Sequence, residues 1–248
     1  METRFEFKDF AKVFALGITL YSICVTLFGI FPQITGFTDL LHPTLSFAIS
    51  YSIQISILFL PLYLFVIKKY QASFADFGFQ KTSIAKIISY VFSTYIFYFI
   101  VTAVISTYLY TNQVELPGYQ GQESHLPLFG TDVVGFVGAT FFVVFLAPVL
   151  EEIFFRGFVY RILVKTWSVW FGSIMSAVLF ALFHFEFQSF IPLLLLGFLL
   201  NFNYQKTGSL WTSICFHSMN NAIALSMEVY LYYHPNFLNE LVKPLGLL

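Results

Sequence analysis

Charge is scarce in this sequence. Only 10% of its 248 residues are Asp, Glu, Lys or Arg, against about 25% in an ordinary soluble domain. That shortage excludes a water-soluble globular protein, and a net charge of −1 excludes the basic footprint that a nucleic-acid partner requires. Cysteine is nearly absent. Cys24 and Cys215 sit far apart inside apolar runs, without metal-binding or redox spacing, and read as inert buried thiols. The strand alternation of a β-barrel is also missing, so the segments that cross lipid must be helices, which satisfy their own backbone groups.

What the sequence has is apolar length: 58% of its residues are hydrophobic. The abundant Phe and Tyr read as lipid-facing and core bulk with some interfacial belt. About 20 apolar residues span the ~30 Å hydrocarbon layer, and seven segments qualify, at roughly 11–31, 46–67, 87–110, 133–160, 168–187, 189–205 and 209–231. The expectation is an all-α polytopic bundle. Residues 1–110 read as N-terminal scaffold helices, 111–132 as an external loop, 133–231 as a helical core and 232–248 as a C-terminal tail. The first apolar run is too long for a signal core and is followed by no cleavage pattern, so it reads as a retained helix.

Basic residues set the orientation. With the N-terminus in the cytoplasm, Arg4, Lys8, Lys12, Lys68, Lys69, Lys81, Lys86, Arg156, Arg161, Lys165 and Lys206 all fall on the inner side. Lys243 alone falls outside, and the loop 111–132 has no basic residue.

Ionisable residues inside apolar spans are costly and read first as functional. Glu151 and Glu152 adjoin in one such span, with Arg156 four residues beyond Glu152. On a helix Glu152 and Arg156 share a face and can pair, whereas Glu151 is turned about 100° away and is left free. Pro148 removes the backbone bond to Val144 and can kink the helix just before the pair. His184 lies late in an apolar helix, with Phe180 one turn back and able to wall an apolar pocket. Glu186 would face away from His184 if that helix continues. His217 and Asn221 share a face of the last helix. Each site alone admits a plain structural reading: an interfacial charge cluster, a satisfied core histidine, or interhelical polar contacts. Helix rise puts all three about 14–20 Å deep, so they can meet.

A free carboxylate beside a histidine in a low-dielectric cavity suits water activation. A second histidine beside an amide offers donors to an oxyanion. The set Glu151, His184 and His217 also has the donor types of an open zinc site, although the short zinc-protease helix motif is absent. No Ser–His–Asp or Cys–His arrangement competes.

These motifs, two Glu with Arg four beyond the second, Phe with His four beyond, and His with Asn four beyond, resemble those of the CPBP family of intramembrane proteases. That family includes the type II CAAX prenyl endopeptidases and the bacterial Abi proteins. Gly157, the run Thr207-Gly208-Ser209-Leu210-Trp211 and the segment Phe74-Ala75-Asp76-Phe77-Gly78-Phe79 are similar to its flanking sequences. The resemblance covers about 133–225. It implies a helical fold with a polar cavity open to the cytoplasm, water activation by Glu151 and His184, and an oxyanion hole from His217 and Asn221. Glu152, Arg156 and Phe180 then act as support. It implies a peptide or protein substrate near membrane lipid, whether prenylated, a bacteriocin or a signalling peptide, and a bacterial cell membrane as the setting. It leaves open a divalent metal such as zinc, held by Glu151, His184 and His217. A non-catalytic binding or immunity protein on the same fold is the alternative. A small transporter is disfavoured by the lack of paired interrupted helices.

Overall fold

A computed structural model describes residues 3–30, 41–120, 122 and 124–237, and these are helical with no strand among them. Seven main helices follow one another: α1 Phe7–Ile30, α2 Pro43–Tyr70, α3 Ile84–Thr111, α4 Val133–Thr166, α5 Val169–Phe183, α6 Phe190–Thr207 and α7 Leu210–Tyr233. Five of the helical segments are long and apolar enough to cross a membrane, and the chain is an integral multi-pass membrane protein. Residue 31 of the first expected span and residues 238–248 of the expected tail, Lys243 included, lie outside the described residues.

Local chemistry sets the helix ends. Ser83, Asp132 and Ser168 each cap a helix by accepting the backbone N–H three residues on. His42 does the same for Thr44, with Pro43 at the first helical position, where its missing N–H costs nothing. Gly208 ends α6 with φ +71°, a left-handed conformation that glycine adopts freely.

α4 is not a uniform α-helix. It is wound as π-helix over Thr140–Leu146 and Ile153–Tyr160, on either side of the α-helical Ala147–Glu152. Pro148 explains the first interruption. The Ala147 N–H bonds to Phe142 O in the π register, and Pro148 has no N–H to offer. The carbonyl left without a partner in the helix is therefore that of Val143, not Val144 as expected from an α register.

The bundle has a basic end and a loop end. At the basic end Arg4 pairs with Asp76 at 2.8 Å, and Lys69 with Asp9 at 2.7 Å. The Lys165 ammonium donates to Thr3 O and Phe5 O. Arg156 is not part of this rim: it is fully buried beside Glu152, because the carboxylate and neighbouring carbonyls draw it inward. At the loop end the described residues of 112–120 and 124–130 fold back onto the bundle. Gln120 N donates to Gln188 O, and Ile191 N to Gly118 O. The lipid-facing surface is apolar, as with Phe92, Ile96, Phe99 and Val104 of α3. Cys215 is exposed rather than buried.

A cavity of about 610 Å³ lies among α1, α2, α4, α5 and α7. Buried apolar residues line part of it, among them Val13, Phe154 and Phe155, and the polar residues Gln122, His125, Glu186 and Glu228 line it at the loop end. At the basic end Phe5 contacts the rings of Tyr70, Phe77 and Phe158.

Candidate active site

Glu151 and Glu152 sit between the two π segments of α4 and point to different neighbours. Glu152 Oε1 accepts from Arg156 at 2.9 Å and from His217 Nδ1 at 2.9 Å. Glu152 and Arg156 are both 0% exposed, so each charge depends on the other for compensation. Arg156 also donates to Asn201 Oδ1 and to Gly197 O, both on α6, which occupies all three guanidinium nitrogens.

Glu151 is the free carboxylate. Its Oε2 is buried and finds no hydrogen-bond partner among the described residues. It faces His184 Nε2 at 3.8 Å and His217 Nε2 at 3.9 Å. The ring protons follow from the other partners. His184 Nδ1 lies 2.7 Å from Phe180 O, and His217 Nδ1 contacts a carboxylate oxygen. Both partners only accept, so each Nδ1 carries a hydrogen and each Nε2 is turned to Glu151.

Phe180 is less a cavity wall than a floor for the polar groups. Its ring lies 4.5 Å from that of His184 and 5.7 Å from that of His217, with the Arg156 guanidinium carbon 4.4 Å from its centroid. Asn221 Nδ2 donates to Val143 O at 2.9 Å, capping the carbonyl that the Pro148 register shift releases. The proline in one motif thereby positions the amide of another.

α5 ends at Phe183, not near residue 187. His184 is its C-cap and Phe185 has φ +55°, which turns the chain. Glu186 consequently does not face away on a continuing helix but lines the cavity and accepts from Gln122 at 3.1 Å. At the same rim Glu228 accepts from Ser124, from the His125 backbone N–H and from the His125 ring. The Glu228 hydrogen bond holds the His125 imidazole above its ordinary pKa.

Sequence reasoning thus named all seven motif residues that meet here. It missed Asn201, fully buried and bonded to Arg156 and to Ser173 O; its signal was an Asn within an apolar helix. It missed Glu228, Tyr51 and Gln54 as cavity residues.

Glu151, His184 and His217 have donor types that suit zinc. However, no group of three or more His, Cys, Asp or Glu among the described residues has the geometry to hold an ion, so no step below runs through a metal. Separations of 3.8 and 3.9 Å are longer than direct hydrogen bonds.

A helical membrane bundle with a carboxylate–histidine cluster at the base of a cavity is what fold and site define together. Residues 133–223 match the model of the family described as type II CAAX prenyl endopeptidase, Rce1-like, and the resemblance read from the motifs holds over that segment. The chain is also similar to YdiL of Bacillus subtilis (strain 168), described as a candidate membrane peptidase, with 29% identity over 82 residues. That stretch is 33% of this chain and 34% of the relative, so the match spans about a third of the relative's length. No solved structure matches the chain.

Proposed function

We propose that this protein is an intramembrane endopeptidase that hydrolyses a peptide bond of a membrane-associated peptide or protein. The observation that carries the reading is the unpartnered Glu151 Oε2, buried between two histidine Nε2 atoms at 3.8 and 3.9 Å. In this reading a water donates one hydrogen to Glu151 and the other to His184 Nε2, leaving its lone pairs free to attack. Its oxygen bonds to the scissile carbonyl carbon while Glu151 takes a proton. His217, held at Nδ1 by the Glu152 carboxylate, turns Nε2 to the oxyanion together with the spare N–H of Asn221. Collapse breaks the C–N bond as Glu151 returns the proton to the leaving amine.

The residues 133–231 are the catalytic half in this proposal. The basic end faces the cytoplasm of a bacterial cell, with the N-terminus inside. Prenylated proteins are the candidate substrates that the description of the matched family suggests, and bacteriocins and signalling peptides those that the motif resemblance suggests. A non-catalytic binding or immunity role is the competing reading, and the same experiment decides between them. In detergent, the native protein and Glu151→Gln are compared on quenched peptides with membrane-anchored or farnesylated ends. Cleavage should fall by at least ~10²-fold in the variant, as for loss of a general base. Equal cleavage by both would sink the mechanism, absence of cleavage by both would favour binding, and chelator in the same assay reads metal dependence.

A further inference from the structure

A protease working inside a membrane must hold its substrate unwound, and an extended chain bares N–H and C=O groups that lipid cannot satisfy. The cavity leading to Glu151 is mostly apolar, so its few polar side chains have to supply the partners. Outside the three motifs, those near the loop end are engaged: Gln122 with Glu186, and His125 with Glu228. Tyr21 stands at the rim, its ring stacked on Phe185. Besides the Tyr21 hydroxyl, two are not engaged, and both come from α2, in the half of the chain read as scaffold and outside the family match.

Tyr51 Oη is buried without a hydrogen-bond partner among the described residues, and Tyr51 lines the cavity. Its ring is held by stacking on Phe47 at 5.6 Å and by an edge contact with Phe142 at 5.7 Å. The phenol thus has little freedom to seek another partner. Gln54 lines the same cavity, is exposed within it and has no hydrogen bond to any described residue. The two are three residues apart on a helix, which sets them on one face about 5–6 Å apart. Two residues of an extended chain cover about 6.7 Å. Consecutive groups on one side of an extended peptide therefore match the pair.

We propose that Tyr51 and Gln54 form a backbone-binding subsite that holds an extended peptide segment along α2, opposite the Glu151 cluster. Tyr51 Oη donates to a substrate carbonyl beside the scissile bond, and the Gln54 amide pairs with the backbone two residues further on. The subsite rests on the endopeptidase reading and adds to it a requirement for an unwound substrate recognised through its backbone.

The test uses the full-length protein and a peptide that it cleaves, with a matched ester in place of the amide whose carbonyl Tyr51 would bind. An ester carbonyl is the weaker acceptor. Tyr51→Phe and Gln54→Leu should each raise KM about 3- to 10-fold, the scale of one net hydrogen bond, with a thermal unfolding midpoint close to native. The Tyr51→Phe effect should shrink toward unity on the ester. In parallel, anisotropy measures binding of the same labelled amide peptide to Glu151→Gln protein, alone and with each α2 variant added. That readout needs no turnover, so it separates failure of the subsite from failure of the hydrolytic reading. Native-like KM and binding in both variants would overturn the proposal, as would a Tyr51→Phe loss equal on amide and ester, or no saturable binding to Glu151→Gln.

Discussion

Two donors meet at Glu152 Oε1: the Arg156 guanidinium from the same helix and the His217 ring from α7. One oxygen thus joins charge balance to ring orientation. The first contact was legible in the sequence, because four-residue spacing on a helix fixes it. The second joins residues 65 positions apart and depends on how α7 lies against α4, which no spacing reveals. The two roles separate by mutation. Glu152→Gln should lower stability by about 3–5 kcal/mol, the cost of leaving a buried cation without its partner, and should also lower turnover. Adding Arg156→Met removes the stranded cation, so the unfolding midpoint should recover in large part while turnover stays low. Recovery of both would reduce Glu152 to a structural partner of Arg156. Tyr51 and Gln54 were passed over in the sequence for a similar reason: one Tyr among 15 and a Gln in an apolar run have no motif to mark them.

At the level of elements, the long apolar helices were legible and their interruptions were not. Pro148 marked a disturbance in α4, but a single proline does not disclose two π segments, nor that Asn221 caps the released carbonyl. The end of α5 was hidden more completely. No Gly or Pro stands between Phe183 and Phe190, and Phe185 makes the turn in a left-handed conformation that its type rarely adopts. Among the described residues the α5–α6 contact is the most extensive helix pairing, and it depends on Gly197. A Cβ there would lie 3.1 Å from Phe180 Cδ1 and 3.2 Å from Ala177 Cα. Gly197→Ala should therefore cost about 1–3 kcal/mol of stability, as overpacking does. It should lower turnover further than that alone explains, since Phe180 underlies both histidines and Arg156. Turnover in step with the remaining folded fraction would argue against the second effect.

For the molecule as a whole, the sorting of basic charge to one end was readable from the sequence, and the aromatic packing of that end was not. That packing is made by Phe5, a residue ahead of the first helix. Its partners come from three separate stretches of chain, so only the folded arrangement discloses it. With the basic end inside the cell, single cysteines in a background lacking Cys24 and Cys215 should report opposite sides. Gln122→Cys should react with a membrane-impermeant maleimide in intact cells, and Lys81→Cys only after the membrane is broken. The reverse pattern would invert the orientation, and equal labelling in intact cells would contradict the separation of the two ends.

The brevity of α5 bears on the lipid around it. Its 15 residues rise about 22 Å, short of the ~30 Å hydrocarbon layer, and the link to α6 that follows is bonded to the loop through Gln188 O and Gln120 N. Taken alone, α5 is therefore mismatched to a bilayer of ordinary thickness, whereas the Phe187–Thr207 segment after it is long enough to cross one. Acyl chains beside α5 must compress or tilt to meet its ends, at a modest cost for each ångström. Bilayer thickness is then felt directly at His184, the residue that ends this helix.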